Sequence, residues 1–151
     1  MKIKTTFISA KLMIMSLILC FCAVNANSQS AEEWFDNGTS ALAKSDFQKA
    51  IECYEKAVEL KPDYAVAYYI MGFAYEEGKQ DYKKAVECYE KVIECCKKAV
   101  EYEPENAGAY SIMGAAYDKI GNDKKAKECY KKAEEFGDEA AKQLFLDRNI
   151  E

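Results

Sequence analysis

Histidine is absent from the 151 residues, and only two prolines and one tryptophan are present. Without histidine, the commonest general base, the usual activator of a nucleophile and the commonest metal ligand are missing together. Most enzyme classes lose their footing on that absence alone. No C-x-x-C spacing occurs, which removes thioredoxin-like chemistry, and with no histidine a zinc site is not expected either. What is present is a balance of 50% hydrophobic and 31% charged residues, far from the composition of a disordered chain. The length allows one domain.

The first 26 residues stand apart. Lys2, Lys4 and Lys11 give a positive start, residues 12–24 form an apolar run, and Val24, Asn25 and Ala26 make a small-residue cleavage site. A run of 13 residues is too short for a spanning helix, which needs about 20. Leu19 before Cys20 and Phe21 before Cys22 do not suit lipidation, so residues 1–26 read as a signal peptide cut after Ala26. An exported protein, periplasmic or secreted, is the expectation. Removing that segment leaves 18 basic against 26 acidic residues, a formal −8. Such a surface repels phosphate backbones and anionic lipid, so neither nucleic acid nor membrane is expected as a partner of the remaining chain.

That remainder is repetitive. The phrase IECYEKAVELKPDYAVAYYIMGFAY at 51–75 returns at 86–117 and in part at 127–140. Three units follow, at 31–64, 65–106 and 107–140, each a pair of helices. Trp34, Gly38, Ala50, Tyr54, Ala57 and Pro62 mark the first unit. Tyr68, Gly72, Tyr75, Ala85, Tyr89 and Pro104 mark the second, and Tyr110, Gly114, Tyr117, Ala126, Tyr130 and Ala133 the third. On these residues the chain resembles the tetratricopeptide repeat family over 31–140, which implies an all-α fold, a right-handed α-α superhelix of helix-turn-helix repeats.

The physical reading agrees. A mid-helix glycine costs roughly 1 kcal/mol against alanine, so Gly38, Gly72 and Gly114 predict close helix contacts. Ala50, Ala85 and Ala126 are their expected small counterparts, with the aromatic marks filling the space around. Asp46, Asp81 and Asn122 are N-cap residues, and Pro62 and Pro104 close second helices. Glu52–Lys56, Glu87–Lys91, Glu94–Lys98 and Glu128–Lys132 stand at i,i+4 in the favourable order.

Two departures break the register. Tyr75 to Ala85 holds one residue more than the other copies, near Glu77, Gly78 and Lys79. Ala85 to Pro104 spans seven more than Ala50 to Pro62, about two helical turns, which predicts a long helix at 82–102. The third copy has Asp138 where a proline would fall. Residues 141–151, with Leu144, Phe145 and Leu146, are expected to form a capping helix.

Five cysteines remain beyond the signal segment, at 53, 88, 95, 96 and 129. Equivalent positions in neighbouring repeats lie about 10 Å apart, beyond the roughly 7 Å a disulfide spans between Cα atoms. Buried free thiols are expected, with a redox role for Cys95 or Cys96 as the minor alternative.

In tetratricopeptide-like stacks the first helices line the concave surface. The resemblance therefore implies a groove formed by Phe35, Thr39 and Leu42, then Tyr69, Phe73 and Glu76, then Ser111 and Asp118, beside Ala115. The carboxylates Glu32, Asp36, Glu76, Glu77 and Asp118 lie on the same helices, while most lysines lie on the second ones. A protein or peptide partner with apolar anchors and basic flanks would complement such a strip. Members that clamp a chaperone C-terminus use Lys, Asn and Arg there; Phe35, Thr39, Ile70, Gly108 and Ile112 occupy those positions, so that clamp is missing. The resulting expectation is a non-catalytic interaction module without cofactor or metal. The alternative is a self-associating subunit that uses helix 82–102 and the tail.

Overall fold

A computed structural model describes residues 29–141 and 143. The expected signal segment and nearly all of the expected capping helix lie outside those residues. Residues 31–141 fall in one compact unit, an all-α helical-repeat superhelix. Its helices are α1 (Ala31–Ala43), α2 (Phe47–Leu60), α3 (Ala65–Ala74), α4 (Tyr82–Tyr102), α5 (Ala107–Lys119) and α6 (Asp123–Glu135). Between α3 and α4, Tyr75–Lys79 is a π-turn.

Local chemistry sets these boundaries. The carboxylates of Asp46 and Asp81 accept the backbone N–H of Lys49 and Lys84, each at 3.2 Å, and Asn122 does the same for Lys125. Asn106, which the repeat pattern did not single out, caps α5 by accepting from Ala109 at 2.8 Å. Helices α2 and α4 end two residues before Pro62 and Pro104, because the residue preceding a proline leaves the α region.

Each hairpin turns through a left-handed residue placed just before the cap: Ser45 (φ 59°), Gln80 (φ 52°) and Gly121 (φ 74°). In the first and third repeats the cap N–H reaches back five residues, Asp46 to the Ala41 carbonyl at 3.0 Å and Asn122 to Tyr117 at 2.8 Å. In the second, Asp81 reaches back six, to Tyr75 at 3.0 Å. The extra residue is thus taken up inside the helix as a π-turn, and the cap beyond it is unchanged. A fourth turn of the same kind, Gly137 (φ 96°) then Asp138, ends α6. Asp138 accepts from Ala140 and Ala141, so this residue is an N-cap and not a proline substitute.

The core repeats a ring under a glycine. A Cβ on Gly38, Gly72 or Gly114 would come within 2.7–2.8 Å of the ring of Tyr54, Tyr89 or Tyr130. The close partner is therefore the tyrosine, not the alanines expected from sequence, which are buried alongside at 0–2% exposure. Burying rings of this size supplies roughly 1.5–3 kcal/mol each. Of the four i,i+4 pairs expected, Glu94–Lys98 closes at 2.8 Å. The others turn elsewhere: Glu52 to Gln48, Lys56 to Glu59, Lys91 to Glu94, and Lys132 over the Tyr110 ring.

The long helix α4 carries its surplus as a tandem heptad, VECYEKV at 86–92 followed by IECCKKA at 93–99. Ala85, Cys88 and Tyr89 of the first register complete the second repeat under α3. Ile93, Cys96 and the half-buried Ala99 and Val100 of the second register carry the core on toward α5. Cys96 stands where the first repeat has Tyr54. Seven residues are nearly two turns, so both registers share one helix face.

Candidate functional site

The glycine-facing tyrosines extend their hydroxyls past the core to the first helices. The Tyr54 hydroxyl lies 3.3 Å from Thr39 Oγ1, Tyr89 donates to Glu76 at 2.9 Å, and Tyr130 donates to Asp118 at 2.6 Å. Thr39 also donates to the Phe35 carbonyl at 3.0 Å. Three of the groove positions expected from sequence are thus fixed by the ring that packs under the neighbouring glycine.

The strip falls into separate parts. On α3, Tyr69 packs against Tyr89 with ring centroids 5.5 Å apart, and Phe73, 37% exposed, lies next to it. Lys119 at the end of α5 reaches back to them. Its Nζ is 2.8 Å from Glu76 Oε2 and 5.9 Å from the Phe73 ring centroid. Hydrogen bonding from Lys119 is the main cause that holds the Glu76 carboxyl below its usual range, and the same bond raises the Lys119 ammonium. Burial chiefly raises the Tyr69 hydroxyl, which also lies close enough to feel Lys119, Asp118 and Glu76. Tyr69, Phe73, Glu76 and Asp118 therefore form one patch with Lys119 at its centre.

The remaining candidates lie outside it. Phe35 is half-buried, stacked on Tyr64 at 5.1 Å and tilted against Tyr54 at 5.6 Å, with Leu42 packed on the core nearby. Ser111 donates to Asp138, a bond that lowers the Asp138 carboxyl. Of the carboxylates expected to await a cationic partner, Glu32 meets Lys61 at 3.2 Å and Glu76 meets Lys119. Asp36 and Glu77 are exposed. Lys119 was the residue missed, although it sits next to Asp118 on a first helix, where a lysine departs from the overall charge pattern.

The crevices between repeats lie on the opposite, second-helix side. One of about 580 Å³ is floored by Tyr68, Met71, Tyr75 and Cys88 and rimmed by Glu55 and Lys84. Another of about 350 Å³ is lined by Val100, Tyr110, Met113, Tyr117 and Cys129. Tyr68 and Tyr110 thus serve the junctions between repeats, where Tyr75 donates to Glu55 at 3.0 Å. Lysines lie over the rings there, Lys84 above Tyr75 and Lys125 above Tyr117.

All five described cysteines are free, and all but Cys95 are buried. Burial pushes the Cys88 and Cys96 thiols up to about 12 and Cys129 up to about 11. Cys95, also raised by burial, points its Sγ at the Pro62 carbonyl at 3.6 Å. These are the opposite of the lowered values an activated thiol needs. Among the described residues no group of three His, Cys, Asp or Glu side chains is placed to hold a metal ion, and no helix is long and apolar enough to cross a membrane.

A family profile described as "Tetratricopeptide repeat" matches residues 63–138, and one described as "TPR repeat" matches 40–77. No curated protein matches the chain. Among solved structures, the Sgt2 TPR domain from Aspergillus fumigatus is 26% identical, with 80% of this chain and 78% of that chain covered and a TM-score of 0.55. The first TPR of Spaghetti (RPAP3), bound to the HSP90 peptide SRMEEVD, is 23% identical over 80% of this chain and 91% of that one, with a TM-score of 0.54, a likeness of fold. MamA is 32% identical over 75% of this chain, with a TM-score of 0.48; the match spans 61% of that protein's length.

Proposed function

The chain belongs to the tetratricopeptide repeat family, and from that membership we propose that it is a non-catalytic scaffold that holds a partner protein or peptide against its first-helix strip in the cell envelope. The observation that carries this reading is the α3–α5 patch. Phe73 is a large aromatic left 37% exposed beside Tyr69, next to charges already ordered by hydrogen bonds. An aromatic anchor held in place with little rotamer freedom is the kind of residue on which binding energy concentrates. Export is supported by the positive, apolar and small-residue pattern of residues 1–26.

The partner's chemistry follows from the charges. Asp36, Glu77, Glu76 and Asp118 surround the aromatic strip, so an apolar segment flanked by Lys or Arg fits, its cation competing with Lys119 for Glu76. The HSP90 peptide of the Spaghetti (RPAP3) structure ends in acidic residues, and Phe35, Thr39, Ile70, Gly108 and Ile112 offer no cation to such an end.

A peptide array that varies apolar anchors and flanking charge, read by fluorescence anisotropy, tests the proposal. Peptides with Leu or Phe anchors and basic flanks should bind, acidic-flanked versions should bind more weakly, and Phe73→Glu should lose at least tenfold in affinity. Equal binding by wild type and Phe73→Glu would remove the strip as the site.

A further inference from the structure

The two crevices on the second-helix side are built alike and charged oppositely. The first is floored by Tyr68, Met71, Tyr75 and Cys88, the second by Tyr110, Met113, Tyr117 and Cys129 at the same repeat positions. Around the first stand Glu55, Glu87, Glu90 and Glu94, with Lys84 and Lys91. Around the second stand Lys97, Lys125 and Lys132, with Glu128. The reversal comes from the tandem heptad. Glu55 has two counterparts in α4, Glu90 in the stretch 86–92 and Lys97 in the stretch 93–99. Because the third repeat docks on the second stretch, Lys97 takes the place at that junction which Glu55 holds at the first.

The change alters what the crevice offers. Glu55 accepts the Tyr75 hydroxyl at 3.0 Å, whereas an ammonium has no lone pair, so Lys97 supplies the Tyr117 hydroxyl with no acceptor. Lys125 lies 5.3 Å from the Tyr117 ring centroid and Lys132 lies 5.0 Å from that of Tyr110, which holds both cations over the floor. Burial chiefly raises the Cys129 thiol, and Lys132 and Lys97 oppose it, so both charges are felt at that depth. At the first crevice the lysines are paired, Lys91 with Glu94 at 2.8 Å and Lys84 with Asp81 at 3.9 Å. Among the described residues, none of Lys97, Lys125 and Lys132 closes an ion pair. We propose that the second crevice docks an acidic segment of a partner protein, one large apolar side chain on the floor and flanking carboxylates on the three lysines. The apolar floor supplies the anchor and the rim selects the sign of charge. A space of about 350 Å³ suits a single such side chain, so this contact is weaker than one along the groove. It lies on the opposite side from the groove and prefers the opposite charge, which lets the chain hold two unlike partners together.

Fluorescence anisotropy with a labelled peptide, a central Phe between pairs of Glu, tests this on the purified protein. The peptide should bind wild type and Phe73→Glu alike. Lys97→Glu, which gives the second crevice the sign of the first, should weaken binding about tenfold, and Lys132→Glu by a similar factor. Both lysines are exposed, and circular dichroism checks that each variant keeps its helices. Should either lose them, Lys97→Gln decides, with an expected loss of about threefold. Replacing the peptide's Phe by Ala should weaken binding as much as Lys97→Glu does. Binding that survives the lysine changes, that Phe73→Glu abolishes, or that the Ala peptide matches would each overturn the proposal. So would displacement by inorganic tripolyphosphate at the peptide's own concentration, which would leave only general anion attraction. Sedimentation of the protein alone covers the remaining occupant: mass growth that Lys97→Glu abolishes would give the crevice to a second copy, against the proposal.

Discussion

The junction between the first and second repeats and the one between the second and third are made from the same residue types, and they close in different ways. At the first, the π-turn of the second repeat lays Gly78 directly on the Phe47 ring, and Tyr75 donates to Glu55. At the second, the position of Gly78 falls near Gly121, where an added Cβ would meet nothing within 4 Å, and a charged bridge, Lys119 to Glu76, ties the repeats on the groove side. The first junction is packed tightly at the Phe47 end of α2, whereas the second leaves Tyr82 and Val86 of α4 exposed and is pinned electrostatically. The difference traces to seven residues in α4, which shift the docking site without changing the face that docks.

Removing those seven residues should have the largest effect. Deletion of 92–98 joins Lys91 to Ala99 and gives VECYEKAVEYEP, nearly a copy of IECYEKAVELKP at 51–62. The third repeat should then dock over Tyr82 and Val86 as the second docks over Phe47 and Ile51. Helical circular dichroism should persist while Tyr82 and Val86, exposed in the full-length helix, become protected in hydroxyl-radical footprinting. Tyr82 and Val86 that stay as reactive as before the deletion would mean that the seven residues do not set where the third repeat docks.

Next in size is Gly78→Ala, which forces a methyl into Phe47 and should cost about 2 kcal/mol in chemical denaturation. Gly121→Ala at the other junction has room but sits at φ 74°, so its cost of about 1 kcal/mol comes from the backbone alone. Phe47→Ala should erase most of the Gly78→Ala penalty and none of the Gly121→Ala penalty. That double variant distinguishes a steric glycine from a conformational one.

This pair also shows what could be read in advance. The repeat period, the caps at Asp46, Asp81 and Asn122 and the helix at 82–102 were legible, because they depend on local chemistry and spacing. The π-turn was visible as one extra residue near Gly78, but its contact with Phe47 was not, since no local rule says which ring a turn will meet. The same limit applies to the groove. Phe73 and Glu76 could be placed on a face by period alone, whereas the Lys119 bridge joins residues 43 positions apart across a junction whose offset only the folded chain displays.

The bridge should contribute about 1 kcal/mol or less, its two side chains being only 27–30% exposed. Glu76 titrates below its ordinary value of 4.5, so its contribution is complete above that value and falls away as the pH drops through the lowered one. Lys119 is raised above 10.5; its share is complete below that value and is lost as the pH climbs through the raised one. Between those limits the bridge should be flat with pH. The stability gap between wild type and Glu76→Gln, measured by denaturation, should therefore close on acidification. A gap unchanged at low pH would assign Glu76 a packing role in place of a charged one.

The smallest effect asks where the extra residue of the second hairpin is accommodated. Ser45 and Gln80 both hold the left-handed conformation that Gly121 adopts freely, at φ 59° and 52°. A non-glycine residue pays roughly 1 kcal/mol in that region, so Ser45→Gly and Gln80→Gly should each stabilise by up to that amount, less the entropy a glycine adds to the unfolded chain. Thermal melts of the two variants form the test. Equal gains would mean that Gln80 serves the same cap geometry as Ser45 and that the insertion is absorbed wholly within Tyr75–Lys79. A smaller gain at Gln80 would mean that the π-turn and the cap share the adjustment, and that the packing of Gly78 on Phe47 constrains the backbone as far as Asp81.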